Sequence, residues 1–237
     1  KAFNKLMERI LLKKDFFILK KLELSEIKKL VSYYQILDDS DNSDKIKFNI
    51  LFDKEKLYDL FYKSNISYSN LIKNELYILP ILKKGDQIFI YTQNYFYENW
   101  NKQDEEKLIE FVLPIENIET IQKINSNRNN LYRVDLRDLF KEYSKQNLAI
   151  IIIEDRNSST EKIFFKADIS GKNISKNLEI NRSNLNDEDF YLKIIKVVKK
   201  ELINLIKSQN LIDIRTPSFV NTKFKLNKNN NLVELNK

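Results

Sequence analysis

Side chains that commonly carry catalysis are scarce in this sequence of 237 residues. It has no His and no Cys, which excludes thiol nucleophiles, zinc clusters and Ser-His-Asp triads. The two glycines, Gly85 and Gly171, lie too far apart to form a Walker A loop or a GxGxxG fingerprint. We therefore expect no catalytic residue, no metal site and no cofactor, and we interpret the chain as a non-enzymatic protein.

Carboxylates are the remaining side chains for acid–base or metal chemistry. An EF-hand calcium loop over residues 39–50 would need Gly at its sixth position and Glu at its last, where the sequence has Asp44 and Ile50. We interpret this acidic stretch as a solvated hairpin loop. Asp135 and Asp138 are an acidic pair of the kind that a glycoside hydrolase uses, and capping of a helix N-terminus explains them equally well. A carboxylate-based hydrolase stays open as an alternative.

Residues 94–100 form an aromatic cluster around the only Trp of the chain. Tyr95, Tyr97 and Trp100 have flat rings that can stack on sugars or on nucleic-acid bases, so we take them as part of a candidate binding surface. The alternative is a structural role. Phe96 and Trp100 are four residues apart and would face the same way on a short helix, where they would cover the sheet.

A long basic helix is predicted over residues 187–208, with Asn186 as its N-cap. The lysines that complete the candidate binding surface lie on this helix: Lys193, Lys196 and Lys200. Lys199 and Lys207 share its solvated side. A basic amphipathic helix suits nucleic acid or an anionic membrane. The alternative is a core helix with a solvated back, which additional apolar residues such as Ile203 favour because they widen the apolar face.

Charge and composition indicate a globular protein with a mixed surface. Hydrophobic residues make up 42% of the sequence, and its 41 basic and 34 acidic residues give a net charge of +7. Because both signs alternate along most of the chain, we expect a solvated surface and no specific nucleic-acid binding. No apolar run approaches the ~20 residues that a transmembrane helix needs, and no signal segment is visible in this sequence.

The chain is predicted to be organised around residues 75–94. Two apolar runs, 76–82 and 87–93, flank a turn at Gly85, whose missing Cβ suits a tight hairpin. The first run is almost entirely apolar, as in a strand that is covered on both faces. We therefore predict a central β-hairpin with helices packed on it.

The residues before this hairpin predict helices and a second hairpin. Apolar residues at helical spacing begin at Phe3, and Ser25 is a suitable N-cap for a short helix. Strands are predicted over residues 33–37 and 46–52, and the second is expected to be half-buried because its apolar residues alternate. Asp53 is expected to cap the helix that follows.

The second half of the chain repeats the order of elements in the first half. A helix precedes an apolar strand, 148–153, and a second strand, 162–169, is followed by a helix. The fold class is therefore α/β (α+β), with two similar layered units of helices on short mixed sheets built around β-hairpins. We predict domains at 1–101 and 102–210, with 211–237 as a partial third β unit or a C-terminal extension.

Several of these features resemble an uncharacterised bacterial envelope family, the domain of unknown function 2066. The resemblance lies in Phe52-Asp53 followed by Leu57 and Leu60, and in the strand over residues 76–80. It implies a periplasmic or other cell-envelope location, with a secretion signal and an initial strand ahead of this chain. It implies no catalytic residues, because the shared motifs are packing motifs.

Three classes of function follow. The first is a non-catalytic envelope domain that binds another protein, a second copy of itself or a cell-wall component. Exposed sheet edges at its two ends would be the contacts, since a free strand edge is a template for strand addition. The second is a nucleic-acid or anionic-membrane binding domain, and the third is the carboxylate-based hydrolase.

Overall fold

The computed structural model describes residues 1–37, 47–69, 74–91, 94–102, 109–182 and 185–214 of a mixed α/β fold. The helices in these ranges are α1 (Ala2–Ile10), α2 (Lys13–Leu19), α3 (Leu24–Lys29), α4 (Lys54–Lys63), α5 (Tyr95–Asn99), α6 (Ile118–Ser126), α7 (Leu136–Leu139) and α8 (Asp187–Gln209). The strands are β1 (Val31–Leu37), β2 (Lys47–Phe52), β3 (Tyr68–Ser69), β4 (Asn74–Lys84), β5 (Gln87–Phe89), β6 (Ile109–Val112), β7 (Asn147–Asp155), β8 (Thr160–Ile169), β9 (Lys172–Asn181) and β10 (Leu211–Ile212). Every helix in these ranges is too short or too polar to cross a membrane.

One mixed sheet of six strands organises the fold. β4 pairs in parallel with β7 along most of its length. The other edge of β4 pairs with β6 at its beginning and with β5 at its end. β8 and β9 extend the sheet beyond β7 as antiparallel strands. The predicted units 1–101 and 102–210 therefore share this sheet, and the boundaries between them stay a prediction.

The predicted hairpin at the centre of the chain is confirmed. β4 and β5 pair antiparallel, and the turn between them contains Gly85 with a φ of +57°, which glycine adopts without strain. Ile78 and Leu79 point to opposite faces of the sheet and are both fully buried, as the unbroken apolar run predicts. β5 ends at Phe89, so the second strand is shorter than predicted.

Pro80 lies inside β4, although proline cannot donate a hydrogen bond to a neighbouring strand. It occupies the stretch between the residues that pair with β6 and those that pair with β5. Its carbonyl accepts a hydrogen bond of 2.9 Å from Asn94 Nδ2, which also donates to the Phe89 carbonyl at 3.0 Å. Asn94 is fully buried and satisfies both carbonyls at a part of β4 that pairs with β7 but with neither β5 nor β6.

Helices cover both faces of the six-stranded sheet. α5 and α8 pack on one face, where Val198 is among the fully buried residues. α6 and α7 cover the other face, where Leu139 is buried. The predicted long core helix is confirmed, and Asn186 caps it because its Oδ1 accepts a hydrogen bond of 2.8 Å from the backbone N–H of Asp189.

The first 69 residues form a third core beside the sheet. It is built around α1, α2 and α4, with Met7 and Phe61 among its buried residues. As predicted, Asp53 caps α4 by accepting hydrogen bonds from two backbone N–H groups of its first turn. This core meets the C-terminal end of α8, where the buried Lys207 amine donates to the Glu8 carbonyl. The prediction that Lys207 lies on a solvated surface is therefore wrong, because α1 covers it.

Two further predictions about these elements are wrong. α3 is capped by Glu23 and not by Ser25, because Glu23 and Glu26 form a capping box that satisfies backbone N–H groups reciprocally. A strand, β9, follows β8 where a helix was expected. The chain reverses there because Ser170 and Gly171 adopt left-handed φ angles of +52° and +80°.

Some predicted features fall on parts of the chain that the structure does not describe. The acidic hairpin loop lies mostly within residues 38–46, and most of the predicted unit 211–237 lies within residues 215–237, all outside the described residues. The first residues of that unit form β10, which pairs antiparallel with β3.

Candidate interaction surface

β1 and β2 form a two-stranded antiparallel ribbon that places apolar side chains in solvent. The register pairs Tyr34 with Ile50 and Ile36 with Phe48, so these four side chains lie on the same side of the ribbon, and we call them the ribbon face. Tyr34 is 63% exposed, Ile36 56% and Phe48 52%, and Ile50 is half-buried. A patch of neighbouring apolar side chains is therefore open to solvent.

The opposite side of the ribbon is less uniformly apolar. Tyr33 and Leu51 pair across the strands and are both more than half exposed. The next pair on that side, Gln35 with Asn49, is polar and exposed. The ribbon face therefore has the more continuous apolar surface.

The base of the ribbon is attached to the N-terminal core. The backbone N–H of Asp53 donates to the Leu30 carbonyl at 2.8 Å, which joins the chain before β1 to the chain after β2. Phe52 packs edge-to-face against the buried Phe3, with ring centroids 6.0 Å apart. The ribbon thus projects from a packed base.

The sequence of the ribbon offers little protection against strand addition. Apart from Lys47, the first residue of β2, the two strands contain no charged residue and no proline. Natural edge strands commonly carry charges, prolines or bulges that prevent other chains from pairing with them. The register shift between Val31 and Tyr33 lies at the base of the ribbon, away from Ile36 and Phe48. Because a two-stranded ribbon is only marginally stable alone, pairing with another chain would stabilise it.

The sequence predicts both strands of the ribbon but not the exposure of the second strand to solvent. The alternation in residues 46–52 predicts a half-buried strand, and Ile50 and Phe52 are half-buried while Leu51 on the other side is exposed. The prediction is wrong for Phe48, which is 52% exposed because these strands form a sheet of two and no helix layer covers the described ribbon face. A usable signal was present, since residues 34–36 and 48–50, which include the four residues of this face, contain no charged side chain.

The predicted binding residues near Trp100 lie in the core layers. Trp100 is fully buried, and Tyr95 packs against Tyr191 on the same face of the sheet, which α8 covers. Tyr97 packs in the core on the other face and donates to the Pro114 carbonyl at 2.8 Å. The three aromatic rings are therefore divided between two sides of the sheet.

The predicted binding lysines lie on α8. Lys196 and Lys200 are exposed, and the Lys193 amine donates to a backbone carbonyl of β9 at 2.7 Å. The prediction that Lys199 is solvated is wrong, because it is buried and its amine lies over the Trp100 ring. A binding role for the six residues named from the sequence stays a prediction.

A cluster of charged side chains lies where β4 and β7 end, beside the start of α8. Asp155 accepts hydrogen bonds from Arg182 at 2.8 Å and from Tyr191, and the Lys84 amine lies 3.3 Å from it. The buried Glu161 carboxylate lies 3.6 Å from Arg182. Because ligands often bind at the carboxyl ends of parallel strands, this cluster is a second candidate site.

The titration of this cluster does not suit acid–base catalysis near neutral pH. Burial raises the pKa of Asp155, but hydrogen bonds from Tyr191 and the Asn157 backbone and the charge of Lys84 outweigh it and hold that pKa below its ordinary value. Burial and the hydrogen bond to Asp155 raise the pKa of Tyr191 to about 12. A general acid or base works best with a pKa near the operating pH. The cluster instead joins the end of β7 to the start of α8.

The acidic pair named from the sequence has structural partners. Asp135 accepts a hydrogen bond of 3.0 Å from the backbone N–H of Asp138 and so caps α7. The Asp138 carboxylate lies 3.0 Å from the Lys123 amine. Across the described ranges, no three His, Cys, Asp or Glu side chains are grouped so that they could hold a metal ion.

Two concave sites have volumes at or below the lower end of the range for ligand pockets. A cavity of about 90 Å³ lies beside α6 and α7, with Tyr91, Thr120 and Phe140 in its wall. A cleft of about 290 Å³ lies between α3 and α4. Small-molecule sites usually occupy roughly 300–1,000 Å³, so the ribbon is the stronger candidate for function.

Comparisons with known proteins do not identify a family. No family model and no curated protein matches the sequence. The lipoprotein GNA1162 of Neisseria meningitidis is 15% identical, and the structural match covers 56% of this chain and 98% of that protein with a TM-score of 0.33. The protein XCC0632 of Xanthomonas campestris, assigned to the family model DUF330, is 10% identical, and the match covers 60% of this chain and 89% of that one with a TM-score of 0.24. Scores this low do not establish a shared fold, and membership of the domain of unknown function 2066 is not confirmed.

Proposed function

We propose that this chain is a non-catalytic interaction domain of the bacterial cell envelope that binds another protein through the β1–β2 ribbon. The observation that carries the proposal is the ribbon face, where Tyr34, Ile36 and Phe48 are uncharged neighbours in solvent. A partner strand that pairs with β1 or β2 would satisfy the free backbone groups of that edge. The side chains of the partner would cover the ribbon face at the same time.

A protein suits this surface better than the other classes of ligand. The ribbon face has no charged side chain to neutralise a nucleic-acid phosphate. Aromatic residues such as Tyr34 and Phe48 are enriched in protein interfaces. Burial of side chains such as Ile36 and Phe48 stabilises a complex by about 1.5–3 kcal/mol each when it is complete. A few such contacts, together with strand pairing, suffice for a specific complex of moderate affinity.

The envelope location rests on the sequence resemblance carried by Phe52-Asp53, Leu57 and Leu60. In this chain Phe52 and Leu57 pack in the N-terminal core, next to the base of the ribbon. Fractionation of the native host with an antibody against the chain tests the location. We expect recovery in the periplasmic or membrane fraction, and recovery in the cytoplasm alone would contradict it.

The binding role is tested by placing a photo-crosslinking amino acid at Tyr34 of the chain in its native host. We expect one discrete adduct, because a single partner would lie against the ribbon face. The same probe at Ile115, which is strongly exposed in another part of the chain, is the matched control and should not give that adduct. Mass spectrometry of the adduct identifies the partner or shows that it is a second copy of this chain.

Binding of the identified partner is then measured with purified proteins. Ile36→Ser with Phe48→Ser removes much of the ribbon face and is expected to weaken binding about tenfold or more. Ile115→Ser with Ile118→Ser removes two exposed apolar side chains elsewhere and should leave the affinity unchanged. Equal effects of the two pairs, or no adduct at Tyr34, would contradict the proposal.

A further inference from the structure

α2 carries lysines and large apolar side chains together on its solvent side. Phe16 points into the N-terminal core and is buried, whereas Phe17 is 52% exposed and Ile18 54%. Lys14 precedes Ile18 by four residues, and Lys21 follows Phe17 by four. Side chains at this spacing are neighbours on a helix surface.

We call this surface the α2 patch, and its members are Lys13, Lys14, Phe17, Ile18, Lys20 and Lys21. All six side chains are exposed. Lys20 keeps helical backbone angles, with a φ of −61° and a ψ of −19°, so the helical spacing continues past the last residue of α2. The four lysines therefore lie around the two apolar side chains on one side of the molecule.

Positive charge is concentrated in this part of the chain. Residues 1–30 contain nine basic and four acidic side chains, whereas the whole chain has a net charge of +7. Nine minus four gives +5, so residues 1–30 hold most of the net positive charge of the chain. A local excess of lysines attracts a polyanionic surface over about a Debye length.

Three surfaces of the molecule combine charge and apolar exposure differently. The ribbon face is apolar and uncharged. The outer side of α8 has Lys196 and Lys200, but the apolar side chains of α8 are packed against the sheet. The α2 patch has both properties, which a helix at a lipid interface needs, because its apolar side chains enter the acyl boundary while its lysines meet the headgroups.

We propose that the α2 patch binds the surface of an anionic lipid bilayer, with Phe17 and Ile18 in the interface and the four lysines at the headgroups. Lysine stems are long enough to keep their amines at the headgroup level while the apolar side chains go deeper. Two inserted side chains and four lysines make a reversible, salt-sensitive contact. This inference is independent of the ribbon and of its protein partner.

Flotation of the full chain with vesicles tests the proposal. Vesicles of phosphatidylglycerol mixed with phosphatidylcholine are expected to bind the chain at ~0.1 M salt, and phosphatidylcholine alone should not. Phe17→Ser with Ile18→Ser should weaken binding about tenfold or more. Lys20→Gln with Lys21→Gln should weaken it by a similar factor. Ile115→Ser with Ile118→Ser is the matched control and should bind like the unchanged chain.

A spectroscopic measurement detects insertion directly. In Phe17→Trp, the new indole is expected to shift its fluorescence to the blue when phosphatidylglycerol vesicles are added, because it leaves water. Ile118→Trp is the matched control, since Ile118 is strongly exposed outside the α2 patch. The buried Trp100 gives the same background in both variants. Circular dichroism of each variant checks that the fold is retained.

Several results would overturn the assignment. One is that the chain binds both kinds of vesicle equally, or binds neither. Another is that Lys196→Gln with Lys200→Gln abolishes vesicle binding while the α2 variants still bind. A third is competition by an oligonucleotide that displaces the vesicles and whose binding is lost when the α2 lysines are substituted but kept when Phe17 is. That result would identify a general polyanion site. A Trp at position 17 that stays in water while the chain floats would also exclude insertion.

Discussion

Arg182 is the residue that links separate segments of the chain at the end of the central strands. It is buried and donates to Asp155 at 2.8 Å and to Asp187 at the start of α8. Its guanidinium lies 4.4 Å from the centre of the Phe190 ring. A buried ion pair contributes little net stability over apolar packing, but the loss of one partner is costly because the other charge stays desolvated.

Substitution of Arg182 tests this account of the charged cluster. Arg182→Met is expected to lower the free energy of unfolding by about 3 kcal/mol, because Asp155 and Glu161 stay buried without it. Arg128→Met is the matched control, since Arg128 contacts Asp86 at the surface and its loss should cost less than ~1 kcal/mol. Urea unfolding followed by circular dichroism measures both variants. Equally small losses of unfolding free energy in the two variants would show that the charged cluster does not depend on Arg182.

The same cluster predicts a dependence of stability on acid. Burial opposes ionisation of Asp155, but hydrogen bonds from Tyr191 and the Asn157 backbone outweigh it and hold the pKa of that carboxyl in the folded chain below its ordinary value. A carboxylate with a depressed pKa contributes stability at higher pH and loses it as the pH falls through the folded-state pKa. We expect the gap in unfolding free energy between the unchanged chain and Asp155→Asn to shrink as the pH is lowered below about 3.8. A gap that is constant between pH 7 and pH 2 would contradict this assignment.

Among the elements, β1 and β7 show that the burial of an apolar strand depends on whether helices pack on it. β7 lies between β4 and β8, and residues 150–153 are buried beneath helices on both faces. β1 has a similar share of apolar residues but pairs with β2 in a sheet of two strands. Both segments therefore form strands, as their residue types favour, but only β7 is buried.

Hydrogen exchange measures this difference. Amides of residues 33–37 are expected to exchange several orders of magnitude faster than those of residues 150–153, because the ribbon can open locally without unfolding the sheet. Addition of the partner identified through Tyr34 should slow exchange in residues 33–37 and leave β7 unchanged. Strong, equal protection of both strands in the free monomer would show that the ribbon is already stable without a partner.

The molecule as a whole combines a sheet that helices cover with an N-terminal part that exposes many apolar side chains. The six-stranded sheet is covered by helices on both faces. Among the described residues, eleven of the sixteen large hydrophobic side chains that are strongly exposed lie within the first 69 residues. Both proposed surfaces, the ribbon face and the α2 patch, lie in this part. One molecule could therefore hold a protein and a lipid surface at the same time.

The distribution of charge over the whole molecule predicts weak binding to nucleic acid. The 41 basic residues are largely offset by 34 acidic ones, and the resulting net charge of +7 is small for a chain of this size. We expect non-specific association with oligonucleotides at low salt that disappears near ~0.15 M, because each phosphate contact releases a counterion. Fluorescence anisotropy with single- and double-stranded oligonucleotides measures it. Sub-micromolar affinity at physiological salt would favour the nucleic-acid alternative.

Signals within a few residues of one another determined much of the fold. Gly85 marks the turn of the central hairpin, Asp53 and Asn186 cap their helices, and the apolar face of α8 has helical spacing. Each of these features depends on the backbone geometry of one short segment. The sequence therefore predicted the type and position of β4, α4 and α8.

Tertiary structure decided which elements meet and which stay uncovered. Pairing of β4 with β7, burial of Lys199 beside Trp100 and contact of Arg182 with Asp155 all join residues that are distant in the sequence. An apolar strand has the same local pattern whether a helix layer covers it or solvent does. The sequence therefore predicted the positions of β1 and β2 but not their exposure. Whether a strand is buried depends on the elements that surround it and not on the strand itself.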